Sequence, residues 1–228
     1  MLTRHSLTLA GMLAIVLCLT AGGAGAGMLS TTDWVPTPGG LYQGDNTVSF
    51  PMVGVVVMNV QLVPSTGAAS YAPPAPGSTV IGDSFFDIFA DVSLDGGATF
   101  GPMAASGPAT VRITGTGLVG GIRSFDTEML QLNISGGTLP GGVMLRESPT
   151  LASLGGHSIT QVSGGNYTID SFFDIYTELS VDSGNTWMPA IGLQGPSYMH
   201  VVMTPEPATM TLLGLGSLVA LIRRRRGA

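Results

Sequence analysis

Ser84-Phe85-Phe86-Asp87-Ile88-Phe89-Ala90-Asp91-Val92-Ser93-Leu94-Asp95 recurs 87 positions later as Ser171-Phe172-Phe173-Asp174-Ile175-Tyr176-Thr177-Glu178-Leu179-Ser180-Val181-Asp182. The correspondence runs on through Gly97/Gly184, Thr99/Thr186, Phe100/Trp187 and Pro102/Pro189, and after one extra residue resumes at Gly107-Pro108 and Gly195-Pro196. In the second copy Phe173, Ile175, Thr177, Leu179 and Val181 fall on one face, and Asp174, Tyr176, Glu178, Ser180 and Asp182 on the other. A helix would smear these sets around its circumference, whereas a strand separates them, so each copy predicts a β-strand with one buried face. Asp95-Gly96-Gly97 and Asp182-Ser183-Gly184-Asn185 then supply turn chemistry, because glycine tolerates positive φ and aspartate bonds nearby amides. Each copy therefore ends in a β-hairpin.

Ser180, Asp182, Gly184, Thr186 and Trp187 fit the pattern S-x-D-x-G-x-T-W, and Ser93, Asp95, Gly97, Thr99 and Phe100 fit it with phenylalanine last. This resembles the Asp-box, common in sialidase-like propellers. The resemblance implies a structural hairpin whose aspartate satisfies turn amides and whose final aromatic packs beneath the turn, away from any catalytic centre.

Outward from the repeat, Thr47 to Val63 holds strand-like runs, Pro64 to Gly77 is an extended loop, and Leu130 to Ile134 alternates before Gly136-Gly137. Leu139 to Gly142 and Gly155-Gly156 read as punctuation, and no interior helix is indicated. The expected fold class is all-β, with two related β-sandwich-like units over 27–115 and 116–204.

Both ends carry targeting chemistry. Residues 1–26 open with Arg4 and His5, continue through an apolar run and close on Ala24-Gly25-Ala26, the small-x-small pattern of a signal-peptidase site. The only cysteine, Cys18, lies inside that run after Leu17, where a lipoprotein signal needs a small residue. Cleavage after Ala26 would leave a chain with neither disulfides nor thiolate chemistry. Residues 205–228 read Pro205-Glu206-Pro207, an apolar stretch over 208–222 expected to form a transmembrane helix, then Arg223, Arg224, Arg225 and Arg226. Fifteen helical residues reach roughly 22 Å, short for a hydrocarbon core of about 30 Å, and the arginines place the C-terminus on the cytoplasmic side. The tripartite tail resembles the PEP-CTERM sorting signal of Gram-negative bacteria. The Ala24-Gly25-Ala26 site makes signal peptidase the expected partner at the N-terminus, and the tail's resemblance implies an exosortase, an inner-membrane intermediate, and then the cell surface or extracellular matrix.

Between the signals, residues 27–204 hold 13 acidic and 3 basic residues, no lysine, and a net charge of −10. Such a surface repels phosphate backbones, which excludes nucleic acid as a partner. Catalytic machinery is not visible. A propeller sialidase needs more blades than this length supplies. Asp126, Glu128 and Glu147 read as exposed solubilising carboxylates rather than a glycosidase pair, and His157 and His200 as polar loop and strand residues with no metal-spaced partner. No cofactor is expected. Asp87, Asp91, Asp174 and Glu178 are the candidates for calcium, but residues four apart on a strand lie roughly 13 Å apart and could not share one ion unaided. The expectation is therefore a non-enzymatic, structural or adhesive surface protein in contact with exopolysaccharide. Its alternatives are a calcium-assisted carbohydrate-binding module and a small extracellular glycoside hydrolase.

Overall fold

The structure, a computed structural model, describes residues 27–204. The expected signal peptide, tail helix and arginine cluster lie outside the described residues. Within them the regular structure is strand apart from one 3-10 turn at Ser163–Gly165: β1 (Met28–Ser30), β2 (Leu41–Gly44), β3 (Val48–Phe50), β4 (Val55–Pro64), β5 (Thr79–Ser93), β6 (Gly101–Val119), β7 (Ile122–Ser135), β8 (Met144–Glu147), β9 (Ser153–Gln161), β10 (Tyr167–Ser180), β11 (Met188–Pro189), β12 (Ile191–Gly192), β13 (Gly195–Pro196) and β14 (Tyr198–Thr204).

All of these except β12 and β13 belong to one antiparallel sheet, and its pairings form a ring. Strand β14 pairs with β2, then β4, β5, β6, β7, β9 and β10 follow, and β10 pairs with β14 again. Short strands fill out the ring positions. Strand β8 continues the line of β9 between β7 and β10, β3 continues that of β2 along β4, and β1 and β11 flank β14 along β10. The two sandwich-like units expected from the repeat are therefore replaced by a single barrel-like sheet, and the expected boundary at 115/116 falls inside β6. Closure removes the free edges that two separate small sheets would expose.

One face of the sheet fills the interior. Phe50, Leu62, Ile88, Ile113, Met129, Leu132, Ile159, Ile169 and Ile175 are essentially inaccessible and belong to a single apolar cluster. The alternation read in the repeat holds: Phe86, Ile88 and Ala90 of β5, and Phe173, Ile175, Thr177 and Leu179 of β10, point inward. It fails at the hairpin, where Glu178 and Ser180 are buried beside Leu179.

The surroundings of the two copies also match. Val48↔Val57 on β3–β4 has its counterpart, 87 residues on, in Ser135↔Met144 on β7–β8. Each hairpin docks on the preceding turn in the same way, with Gly96 N–H donating to the Gly54 carbonyl at 2.8 Å and Ser183 N–H to the Gly142 carbonyl at 2.9 Å. Pro102 pairs with Asp91 as Pro189 pairs with Glu178. Beyond that point the sequence correspondence misleads. Gly107 lies within β6 so close to β7 that a Cβ would sit 1.6 Å from the Asn133 carbonyl oxygen, whereas Gly195 belongs to the small side hairpin β12–β13 with open space around it.

The ring has two rims. At the upper rim lie both Asp-containing hairpins, after Ser93 and Ser180. At the lower rim lie Thr79 of β5, the β6–β7 turn, the first residues of β10 and the last residue of β14, Thr204.

Candidate functional site

The two hairpins form part of the upper rim. Ser93 Oγ donates to Asp95 Oδ1 at 2.7 Å and accepts from the amides of Asp95 and Gly97 at 3.3 and 2.8 Å. Asp95 in turn accepts from Thr99 N–H at 2.8 Å and Thr99 Oγ1 at 2.6 Å. The second hairpin repeats the network: Ser180 Oγ to Asp182 Oδ1 at 2.8 Å, Gly184 N–H to Ser180 Oγ at 2.9 Å, and Thr186 N–H and Oγ1 to Asp182 at 2.9 and 2.6 Å. These bonds stabilise the charged carboxylates. The Thr186 hydroxyl, with the Thr186 amide and Ser180, holds Asp182 down at about 2, and the hydroxyls of Ser93 and Thr99 press Asp95 below the usual carboxylate range. The closing aromatics diverge. Trp187 donates Nε1–H to the Gly184 carbonyl at 3.0 Å, whereas Phe100 stays exposed rather than packing under its turn.

The outward faces of β5 and β10 present Phe85, Asp87, Phe89 and Asp91 in one case and Phe172, Asp174, Tyr176 and Glu178 in the other. Around the first copy there is an open groove of about 380 Å³. Phe89, 44% exposed, is among the residues that line it. One wall is the β4 bulge between Met58 and Gln61, where Asn59 takes a left-handed φ of 53° and donates its side-chain amide to Asp91 Oδ2 at 2.8 Å. The other wall is Thr138, whose hydroxyl accepts the Ala104 amide at 2.8 Å. An aromatic face beside a carboxylate, two side-chain amides (Asn59, Gln61) and a hydroxyl can stack on a ring's C–H face and exchange hydrogen bonds with several hydroxyls at once.

The second copy closes the equivalent space. Arg146 stands where Asn59 does, 87 residues on, and donates Nε–H and NH2 to Glu178 Oε2 at 2.9 and 2.6 Å. Its guanidinium lies 4.1 Å above the Trp187 ring, and Ser148 Oγ supports the other Glu178 oxygen at 3.0 Å. Tyr176 packs edge-on against Tyr198. Further along the same face His200 Nδ1 sits 2.5 Å from Asp174 Oδ1, with Asp45 4.0 Å from Nε2. His200 thus has the carboxylate partner that its sequence neighbourhood does not reveal.

The remaining candidates separate. Glu128 faces outward, paired with Arg112 at 2.5 Å. Glu147 is buried on the inner face, contrary to its reading as an exposed carboxylate, and burial, opposed by a 3.1 Å hydrogen bond from Ser153, pushes its carboxyl up to about 7. His157 is likewise no loop residue. It lies within β9, buried, with both ring nitrogens unpartnered, and burial together with Arg123 keeps it neutral down to about 4. Gly155-Gly156 is strand rather than punctuation, and the Phe172 ring lies over Gly156, where a Cβ would meet it at 2.7 Å. The calcium candidates are dispersed, with Asp91 on Asn59, Asp174 on His200 and Glu178 on Arg146. Among the described residues no three His, Cys, Asp or Glu side chains gather into a metal site, and no helix is long and apolar enough to cross a membrane.

Beyond Thr204 the sequence continues with Pro-Glu-Pro, an apolar run and an arginine cluster. Residues 204–226 match the PEP-CTERM protein-sorting motif. The motif marks an exported protein, processed by an exosortase, that passes through a membrane-associated sorting step on its way to the surface. No curated protein and no solved structure matches the chain. The PEP-CTERM motif covers the tail and touches the barrel only at Thr204.

Proposed function

We propose that this protein is a structural or adhesive component of the cell surface or extracellular matrix, and that its barrel holds neutral exopolysaccharide in the β4–β5–β6 groove. The observation that carries the reading is the groove itself, an exposed Phe89 set between Asp91, Asn59, Gln61 and Thr138. The net charge of −10 over residues 27–204 favours a neutral polymer over an anionic one. In this reading the chain is a duplicated unit with two Asp-box-type hairpins, one copy keeping its groove open and the other filling it with Arg146. The role is binding rather than hydrolysis. Glu128 and Glu147 face opposite sides of the sheet wall, so they do not flank a common bond as a glycosidase pair must.

The test is affinity electrophoresis of the protein through gels containing neutral polysaccharides, with and without EDTA to detect a calcium contribution. Wild type should be retarded by at least one neutral polymer, and Phe89→Ala should weaken binding about five- to tenfold, roughly 1–1.4 kcal/mol of stacking. Phe172→Ala should bind as wild type. Retardation by none of the polymers, or unchanged binding by Phe89→Ala, would remove the groove from the account.

A further inference from the structure

We propose that the β6–β7 hairpin tip is a membrane-contacting element, which enters the lipid interface while the sorting tail holds the protein at the bilayer and sets the barrel with its lower rim against the membrane. The tether places it there. Strand β14 ends on the lower rim at Thr204, and only Pro205, Glu206 and Pro207 separate it from the apolar stretch that begins at Ala208. Four Cα steps span at most about 14 Å, so whatever projects from this rim is carried to the membrane surface with the tail.

What projects is apolar. Strand β6 continues past Thr114, its last pairing with β5 at this rim, to Val119, and turns back into β7 through Gly120-Gly121. Both glycines have positive φ, 60° and 85°, as a tight two-residue hairpin turn demands. Leu118, Val119 and Ile122 are 62%, 79% and 43% exposed, and no charged residue occurs between Arg112 and Arg123. At the base of the hairpin Arg123 is paired with Asp33 at 2.9 Å, which brings the neighbouring Trp34, 48% exposed, to the same region, and the Arg123 guanidinium lies 6.0 Å from the Tyr167 ring centre. Aliphatic side chains at a tip, with tryptophan, tyrosine and arginine behind them, are the composition of an interfacial anchor. The upper rim also exposes apolar side chains, Leu94 and Val181 among them, but it lies at the end away from Thr204.

The inference rests on insertion of the tail, so its test reads the two separately. The chain from Gly27 onward, tail included, contains no cysteine and receives a single one by Val119→Cys, Leu118→Cys or, as the far-rim control, Leu94→Cys. Each is labelled with an environment-sensitive fluorophore and reconstituted into vesicles of phosphatidylethanolamine and phosphatidylglycerol. Labels at 118 and 119 should shift to the blue and lose intensity to lipid-borne nitroxides, while the label at 94 keeps its aqueous emission. Aqueous emission at 118 and 119 from protein that resists alkaline extraction would overturn the tip contact alone, as would a lipid signal equally strong at 94. Release of the chain by alkaline extraction would overturn tail insertion, and the tip contact with it.

Discussion

Removing one buried hydroxyl should unfasten a whole hairpin. Ser180 is inaccessible to solvent, and its Oγ donates to Asp182 Oδ1 at 2.8 Å while accepting the amides of Gly184 at 2.9 Å and Asp182 at 3.3 Å. Ser180→Ala deletes all three. The contact at 3.3 Å contributes little, the Gly184 bond is an ordinary amide bond, and the donation to a carboxylate is charge-assisted. Because the turn amides can recover some hydration, the loss should be about 1–3 kcal/mol. For a domain of this size that corresponds to a fall in Tm of about 2–4 °C per kcal/mol. Ser93→Ala should behave alike, since Ser93 is equally buried and makes the same bonds at 2.7, 2.8 and 3.3 Å. The two turns share no partner, so the double variant should show the sum to within about 0.5 kcal/mol. A pH signature accompanies the loss. Asp182, held at about 2 in the folded protein, binds fewer protons folded than unfolded, so its contribution is complete above the ordinary carboxylate range and vanishes as pH falls towards 2. Denaturant titrations at neutral pH and near pH 3 should therefore show the gap between wild type and Ser180→Ala narrowing in acid. Unchanged stability of both single variants at neutral pH would refute the assignment of these serines as the fasteners of the turns.

Three further outcomes concern buried groups. Glu147, raised to about 7, keeps its proton in the folded state over a range where the unfolded chain has lost it, so it subtracts stability progressively from about pH 4.5 to 7 and fully above. Glu147→Gln keeps an acceptor for Ser153 and should stabilise the protein at pH 8 but not at pH 4, as read by urea midpoints. His157, lowered to about 4, acts in the opposite sense, with stability lost as pH falls from about 6.5 to 4, and His157→Gln should flatten that acid limb. Arg146→Ala should cost about 2–3 kcal/mol by leaving the buried Glu178 carboxylate without its cation and Trp187 without its stacking partner, and Glu178→Gln in the same background should restore part of it.

The parts of this fold legible in the sequence are those governed by local periodicity. Alternation of Phe86, Ile88 and Ala90 against Phe85, Asp87 and Phe89 marks β5 and its orientation, and the spacing of Ser93, Asp95, Gly97 and Thr99 marks the turn that follows. Ring closure was not legible, because it depends on β7 pairing with β9 and β10 with β14, contacts no local pattern encodes. Glycine misled twice. Gly155-Gly156 looks like a turn but is a strand segment left bare so that Phe172 can lie across it, and Gly195-Pro196 looks like the partner of Gly107-Pro108 but belongs to a side hairpin. The groove was half legible. Phe89 and Asp91 are evident from the repeat, while Asn59 and Thr138 reach it only through a bulge and a turn on other strands. Asp174 and His200 lie 26 residues apart, and only the antiparallel register of β10 and β14 sets them opposite one another.

The central claim is that the barrel is cargo delivered to the surface by its tail, and intact-mass analysis of the native protein, fractionated into inner membrane, surface and medium, tests it most directly. The account predicts a surface or released form beginning after Ala26 and ending near Pro205, without the apolar stretch and the four arginines. A surface form that retained its full C-terminus, or protein found solely as the full-length tail-bearing chain in the inner membrane, would contradict it.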